Sequence, residues 1–180
     1  HINPLLTLSQ SSFEIAIILA DIETIHPMRI ASILSPARTY CGLNVSSKKR
    51  AIEHGAQFIA ESEPRIEEAD LYRSLIAREK ISPTGLGHGI ALPHCKLPTC
   101  SGIVGALVTL SEPIEFEAID DEPVSTLFYV VVPERQTDQH LAVLSMLMKR
   151  FNDSAFRQRL RQASTAQELY LAAVREESTE

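Results

Sequence analysis

The stretch from Val124 to Val132 constrains this chain more than any other. Leu127, Phe128, Val130, Val131 and Val132 follow one another almost without polar interruption, between Asp120-Asp121-Glu122-Pro123 on one side and Pro133 on the other. A strand with one wet face alternates apolar and polar residues. This one is apolar at successive positions, as a strand covered on both faces must be. Helical patterns occur on either side of it in the sequence, so the fold class read here is α/β, a three-layer sandwich with a central mixed sheet.

The rest of the chain supplies the covering layers. Ser46-Ser47 opens a helical pattern with Ile52, Ala56 and Ile59 facing inward, although Lys48-Lys49-Arg50 in its first turn oppose the helix dipole and read as solvated charges. A second helix is predicted over Ile66–Arg78, with Leu71, Leu75 and Ile76 as its stripe, acids in its first turn and Arg78 in its last. Ile103–Leu110 reads as a strand, Glu112-Pro113 and Asp120–Pro123 as turns, and Ile114 with Phe116 as a short strand between them. Thr137 is a good N-cap for a helix carrying Leu141, Leu144, Leu147, Met148 and Phe151, which puts His140 at about its third position. Two short helices follow, one through Phe156 and Leu160, the other opened by the capping box Thr165-Ala166-Gln167-Glu168. The tail Glu176–Glu180 is polar.

Residues 1–27 read as an N-terminal extension. Ser11-Ser12-Phe13-Glu14 fits a capping box, Ile15, Ile18, Leu19 and Ile22 share a helical face, and His26-Pro27 ends the pattern. A strand over Ile15–Ala20 fits as well. Met28 reads as a natural start, and the sharper alternative makes 1–27 an arm packing on the domain or on a neighbouring copy.

Composition sets outer limits. A chain of 180 residues can bury one real core. A net charge of −6 and a pI near 5.5 argue against a nucleic-acid partner, which needs a basic face. Cys41, Cys95 and Cys100 are too few and too odd in number for a disulfide framework, which suits a reducing compartment. With no apolar run of membrane-spanning length and no basic leader, the expectation is a cytoplasmic protein without membrane insertion.

Chemistry concentrates in Thr84-Gly85-Leu86-Gly87-His88-Gly89-Ile90-Ala91-Leu92-Pro93-His94. A loop with glycine at every second position enters the strand-forming Ile90-Ala91-Leu92, and Pro93, which donates no hydrogen bond, is expected to end it and hold His94 at a strand end. His94 titrates near neutrality and can serve as base, nucleophile or ligand. Arg78 precedes the loop at a helix end, and His140 lies on a helix N-terminus, where backbone N–H groups favour an anion. If the three converge, a neutral imidazole can attack phosphorus while guanidinium, imidazole and helix amides hold the equatorial oxygens. No Gly-Lys-Ser/Thr follows the glycines, so the loop is not a nucleotide cradle. Two rivals use the same residues: zinc held by His94, Cys95, Cys100 and His140, whose spacing fits no paired motif, and Cys95 as a nucleophile with His140 as base.

This stretch closely resembles the active-site signature of the type-2 EIIA domains of the bacterial phosphotransferase system, the mannitol/fructose class. Ser46–Arg50, Ala77–Lys80, Phe116–Asp120, Thr137–Leu141 and Glu168–Tyr170 are similar to its nitrogen-regulatory branch, EIIA-Ntr. The resemblance runs from about Met28 to Val174 and makes 28–180 the EIIA domain. It implies that His94 is phosphorylated at Nε2 by an HPr-like phosphocarrier (NPr in this branch), with Arg78 and His140 as helpers. Thr84, Gly85, Gly87, His88 and Gly89 would form the loop facing phosphate and partner. The implied fold is a mixed five-stranded sheet with helices on both faces, and the implied cofactors and metals are none.

At position 88 the branch usually carries Asn. The His88 imidazole replaces the amide's hydrogen bond only in part, so the expectation is an altered loop geometry or pH dependence. Two functions follow from the resemblance. In one, the chain regulates partners such as potassium-transport or sensor-kinase components by its phosphorylation state, since about −1.5 to −2 units of charge suffice to switch an interface. In the other, it passes phosphate to a separate EIIB for fructose- or mannitol-type sugar uptake.

Overall fold

The computed structural model describes residues 28–135 and 137–175. The expected features of 1–27 and of the 176–180 tail lie outside them. Two 3-10 turns, Ile30–Ser32 and Pro36–Arg38, lead into β1 (Thr39–Leu43), followed by α1 (Lys48–Ser62) and α2 (Glu68–Ile81). Next come β2 (Gly85–Gly87), β3 (Ile90–Ala91), β4 (His94–Leu97), β5 (Val104–Ile114) and β6 (Val124–Pro133), then α3 (Thr137–Phe151), α4 (Ser154–Gln162) and α5 (Ala166–Val174).

The sheet is mixed and runs β1-β5-β6-β3-β2, with β4 also on β6. β1 is parallel to β5, β5 antiparallel to β6, and β3 and β4 both parallel to β6. Ile90 pairs with Thr126, Ala91 with Leu127 and His94 with Val130, so β3 and β4 keep a single register along β6. They are one strand track interrupted at Leu92-Pro93. The six strands therefore occupy five tracks. As expected, the first segment stops before Pro93 and His94 stands at a strand end, but the track resumes there: the Pro93 carbonyl still accepts the Val130 N–H at 3.0 Å, and His94 is the first residue of the next segment.

β6 sorts the layers. Leu127, Tyr129 and Val131 face one side, in a core with Ile52, Ile59, Leu71 and Leu75 of α1 and α2. Phe128, Val130 and Val132 face the other, against Val143, Leu147, Phe156, Leu160 and Leu169 of α3, α4 and α5. All six of these β6 side chains are at most 1% exposed, and burial of each contributes roughly 1.5–3 kcal/mol. The unbroken apolar run is thus two period-2 patterns on one strand.

Several boundaries differ from expectation. α2 begins at Glu68, because Ile66 is tied into a turn by its N–H to the Glu63 carbonyl. It ends a turn later, at Ile81, where Ser82 is extended (φ −161°, ψ 131°), as a residue before Pro83 must be. Glu112-Pro113 is no turn. β5 runs through it to Ile114, and the register shifts between Thr109 and Ile114, where a ladder hydrogen bond is not asked of the proline. Phe116 lies beyond the strand, fully buried in the loop. α3 starts at Thr137, making His140 its fourth residue. Among the described residues no helix is long and apolar enough to cross a membrane.

Candidate active site

Strand alternation separates the two reactive residues of the His94-Cys95 pair. Cys95 and Leu97 point into the core under α1 and α2, so His94 and Lys96 lie on the opposite face, beside α3. Burial pushes the Cys95 thiol up to about 12, with Cys100 adding to the rise, which suits a packing residue and not a thiolate nucleophile. Among the described residues, no three His, Cys, Asp or Glu side chains are grouped to hold a metal ion.

His94 is largely enclosed, at 9% exposed. Its Nδ1 lies 2.8 Å from the Leu92 carbonyl oxygen. A carbonyl can only accept, so Nδ1 carries the proton and the neutral ring keeps its lone pair on Nε2. The His140 ring meets it edge-on, with centroids 5.6 Å apart and planes at 63°. His140 Nε2 is buried and has no hydrogen-bond partner among the described residues. An unpartnered buried polar atom costs about 1–3 kcal/mol, and an arriving oxyanion would relieve that cost.

Arg78 acts on this pair electrostatically from α2, the layer on the other face of the sheet. Among the described residues β4 pairs with β6 alone, which leaves its other edge to α2. One guanidinium nitrogen of Arg78 donates to the Ser82 carbonyl at 2.8 Å. Its charge acts on both imidazoles. Burial is the main reason that His94 titrates below the ordinary histidine value; Arg78 adds to the depression, while the Leu92 carbonyl and Glu79 oppose it. His140 is depressed by burial first, then by His94, Lys96 and Arg78. Both rings are therefore held neutral near pH 7, in the field of the Arg78 and Lys96 cations.

The glycine stretch is a hairpin, not a loop, and it divides in two. Thr84 and Gly85 lie at the His94 end, where the Thr84 carbonyl accepts the Leu92 N–H at 3.0 Å. A Cβ on Gly85 would come within 2.7 Å of the Ala118 Cα, so this glycine makes room for the 115–123 loop. His88 and Gly89 form the far tip, six and five residues back along the track, roughly 15–20 Å from His94 at strand rise. Gly87, His88 and Gly89 have φ of 95°, 55° and 79°. Positive φ at both central residues is the signature of a type I′ hairpin turn, for which Asn-Gly is the preferred pair. An Asn at position 88, as the resemblance implies, would suit this backbone conformation. His88 holds the turn through its main chain, its N–H donating to Asp120 Oδ2 at 2.9 Å and its carbonyl accepting from Arg161 at 2.7 Å.

Sequence reading missed three neighbours. Lys96 is signalled only by its position two residues after His94. Glu79 is a buried carboxylate, and Lys48 pairs with it at 2.9 Å; the Lys48 ammonium is not the solvated charge expected.

Comparison with known proteins agrees with this architecture. Residues 32–173 match the family model described as phosphoenolpyruvate-dependent sugar phosphotransferase system, EIIA 2. The nitrogen regulatory protein of Pseudomonas aeruginosa is 38% identical over 147 residues, covering 82% of this chain and 96% of that one. The Escherichia coli K12 nitrogen regulatory protein is also 38% identical over 147 residues, covering 79% and 88%. The crystal structure of nitrogen regulatory protein IIA-Ntr from Neisseria meningitidis has a TM-score of 0.74 at 36% identity, covering 80% of this chain and 98% of that chain. The chain belongs to the type-2 EIIA family of the phosphotransferase system, and the three relatives just described are nitrogen regulatory proteins.

Proposed function

We propose that His94 accepts a phosphoryl group at Nε2 from the phosphohistidine of an HPr-like carrier, and that the charge so added regulates partner proteins in the cytoplasm. The observation that carries this reading is the 2.8 Å contact of His94 Nδ1 with the Leu92 carbonyl, which leaves Nε2 as the lone pair of a neutral ring.

In the transfer, a P–N bond forms at His94 Nε2 as the P–N bond on the carrier breaks, and the carrier ring leaves with the bonding electron pair. The His94 ring becomes a phosphoimidazolium whose positive charge is stabilised by the Nδ1–H···O=C contact to Leu92. Arg78 and His140 Nε2–H hold equatorial oxygens of the loose transition state, a role of positioning and charge compensation. Lys96 adds a second positive charge to that of Arg78. The regulatory reading takes its support from the relatives at 36–38% identity, which are named for nitrogen regulation, whereas a fructose-specific EIIA component of Haloferax volcanii is 32% identical.

The test is incubation with phosphorylated carrier, then with candidate EIIB domains. Carrier-dependent labelling of the wild type, its loss in His94→Ala, and no onward passage to EIIB are expected. Labelling that persists in His94→Ala contradicts the acceptor assignment. Efficient passage to EIIB and sugar would instead establish the sugar-uptake role.

A further inference from the structure

Glu79 takes no part in the phosphoryl chemistry above, yet it is 6% exposed and both of its oxygens are engaged. Oε1 accepts the Thr84 N–H at 2.8 Å and lies 2.9 Å from Lys48 Nζ, while Oε2 accepts the Thr84 hydroxyl. The Thr84 carbonyl in turn accepts the Leu92 N–H, and the Leu92 carbonyl accepts the His94 Nδ1 proton. An unbroken polar series thus runs from Lys48 on α1, through α2 and the base of the hairpin, to the histidine ring.

The energetics make this more than a local anchor. A buried carboxylate is costly unless paired and hydrogen-bonded, and an apolar contact could pin α2 to the hairpin equally well. What an apolar contact could not do is fix direction. Grip on a backbone N–H and a hydroxyl of one residue sets the orientation of Thr84, and charge-assisted bonds are about twice as strong as neutral ones. Leu92 is then fixed at both ends, by Thr84 at its N–H and by His94 at its carbonyl. Pro93 between them supplies no donor that could compete. The Glu79 charge also acts on His94 directly, favouring a bound proton against the effect of burial.

We propose that Glu79 is a positioning residue for His94: by gripping Thr84 through both oxygens it sets the Leu92 carbonyl that holds the Nδ1 proton, and so keeps Nε2 presented for attack. This rests on the reading of His94 as the acceptor. Glu79 touches neither phosphate nor carrier; it acts through two intervening residues.

The experiment uses the full chain labelled with ¹⁵N-histidine, and reads both the His94 ring nitrogen shifts, which report the tautomer, and the initial rate of carrier-dependent phosphorylation. Thr84→Val removes the hydroxyl at constant shape, and Thr84→Ser keeps it. Glu79→Gln removes the charge. We expect Thr84→Val and Glu79→Gln to lower the Nδ1–H population of His94 and to slow transfer about tenfold or more, because small misplacements of a reacting group are costly. Thr84→Ser should stay within about twofold of wild type in both. If Glu79→Gln does not fold, the Val and Ser variants decide alone. Slower transfer with unchanged His94 shifts, or no change in either readout for Thr84→Val, overturns the proposal. A wild type that takes no phosphate contradicts the acceptor reading instead, while the tautomer comparison still decides whether Glu79 orients the ring.

Discussion

His94 and His140 meet edge to face at 5.6 Å between ring centroids, one from the first residue of a strand and the other from the first turn of a helix. Two imidazoles so placed cannot both be charged cheaply, and burial depresses each below the ordinary value of about 6.5.

The first prediction concerns pH and stability. Below about pH 6.5 the unfolded chain binds protons at these two positions that the folded chain does not yet bind. Stability should therefore be complete above that value, fall as pH falls toward the depressed folded values, and level off below them. Urea denaturation across pH 5–8 checks this. A His94→Gln/His140→Gln variant should show a flatter profile over the same window.

The hairpin tip gives the second. His88 occupies a left-handed position that Asn adopts more readily, so His88→Asn should stabilise by roughly 0.5–1 kcal/mol. Thermal melting should show a rise of about 1–4 °C. Because the tip lies well along the track from His94, the transfer rate should remain within about twofold of wild type.

Much of this was legible in the sequence, for reasons that are local. The apolar run of β6 announces a doubly covered strand, Pro93-His94 marks a break that exposes a histidine to a special backbone setting, and Ser47 and Thr165 are N-caps whose side chains accept from Arg50 and Glu168 as their positions require. What was not legible depends on distance in space. The Lys48–Glu79 pair joins residues on two helices and exists only once those helices pack. Pro113 reads as punctuation in a sequence, but a register shift lets a strand carry it. At position 88 the residue type suggests side-chain hydrogen bonding, whereas the left-handed backbone angle, which the sequence does not display, is what the position demands.

Packing beneath the sheet supplies a third prediction. Gly55 on α1 faces the Tyr129 ring, and an added Cβ would lie 2.1 Å from a ring carbon. The ring cannot simply withdraw, since its hydroxyl donates to the Ala51 carbonyl at 2.6 Å. Gly55→Ala should destabilise by about 1–3 kcal/mol despite the better helix propensity of alanine. The urea midpoint should fall with little change in slope.

Arg78 supplies a fourth. A planar fork and a point charge are not equivalent at an oxyanion, so Arg78→Lys should slow phosphoryl transfer roughly tenfold, and Arg78→Ala further. Single-turnover rates at saturating carrier separate this from weaker docking. Folding stability should change little, because among the described residues Arg78 makes one hydrogen bond and that one is exposed.

The most direct test of the account is to locate the phosphate atom by atom. The ¹⁵N-histidine protein, phosphorylated by its carrier and held at high pH, can be read by nitrogen–phosphorus coupling in NMR, with peptide mass spectrometry identifying the residue. The account predicts a single phosphohistidine, at Nε2 of His94. Phosphate on Nδ1 of His94, on His140 or on any other residue would contradict it.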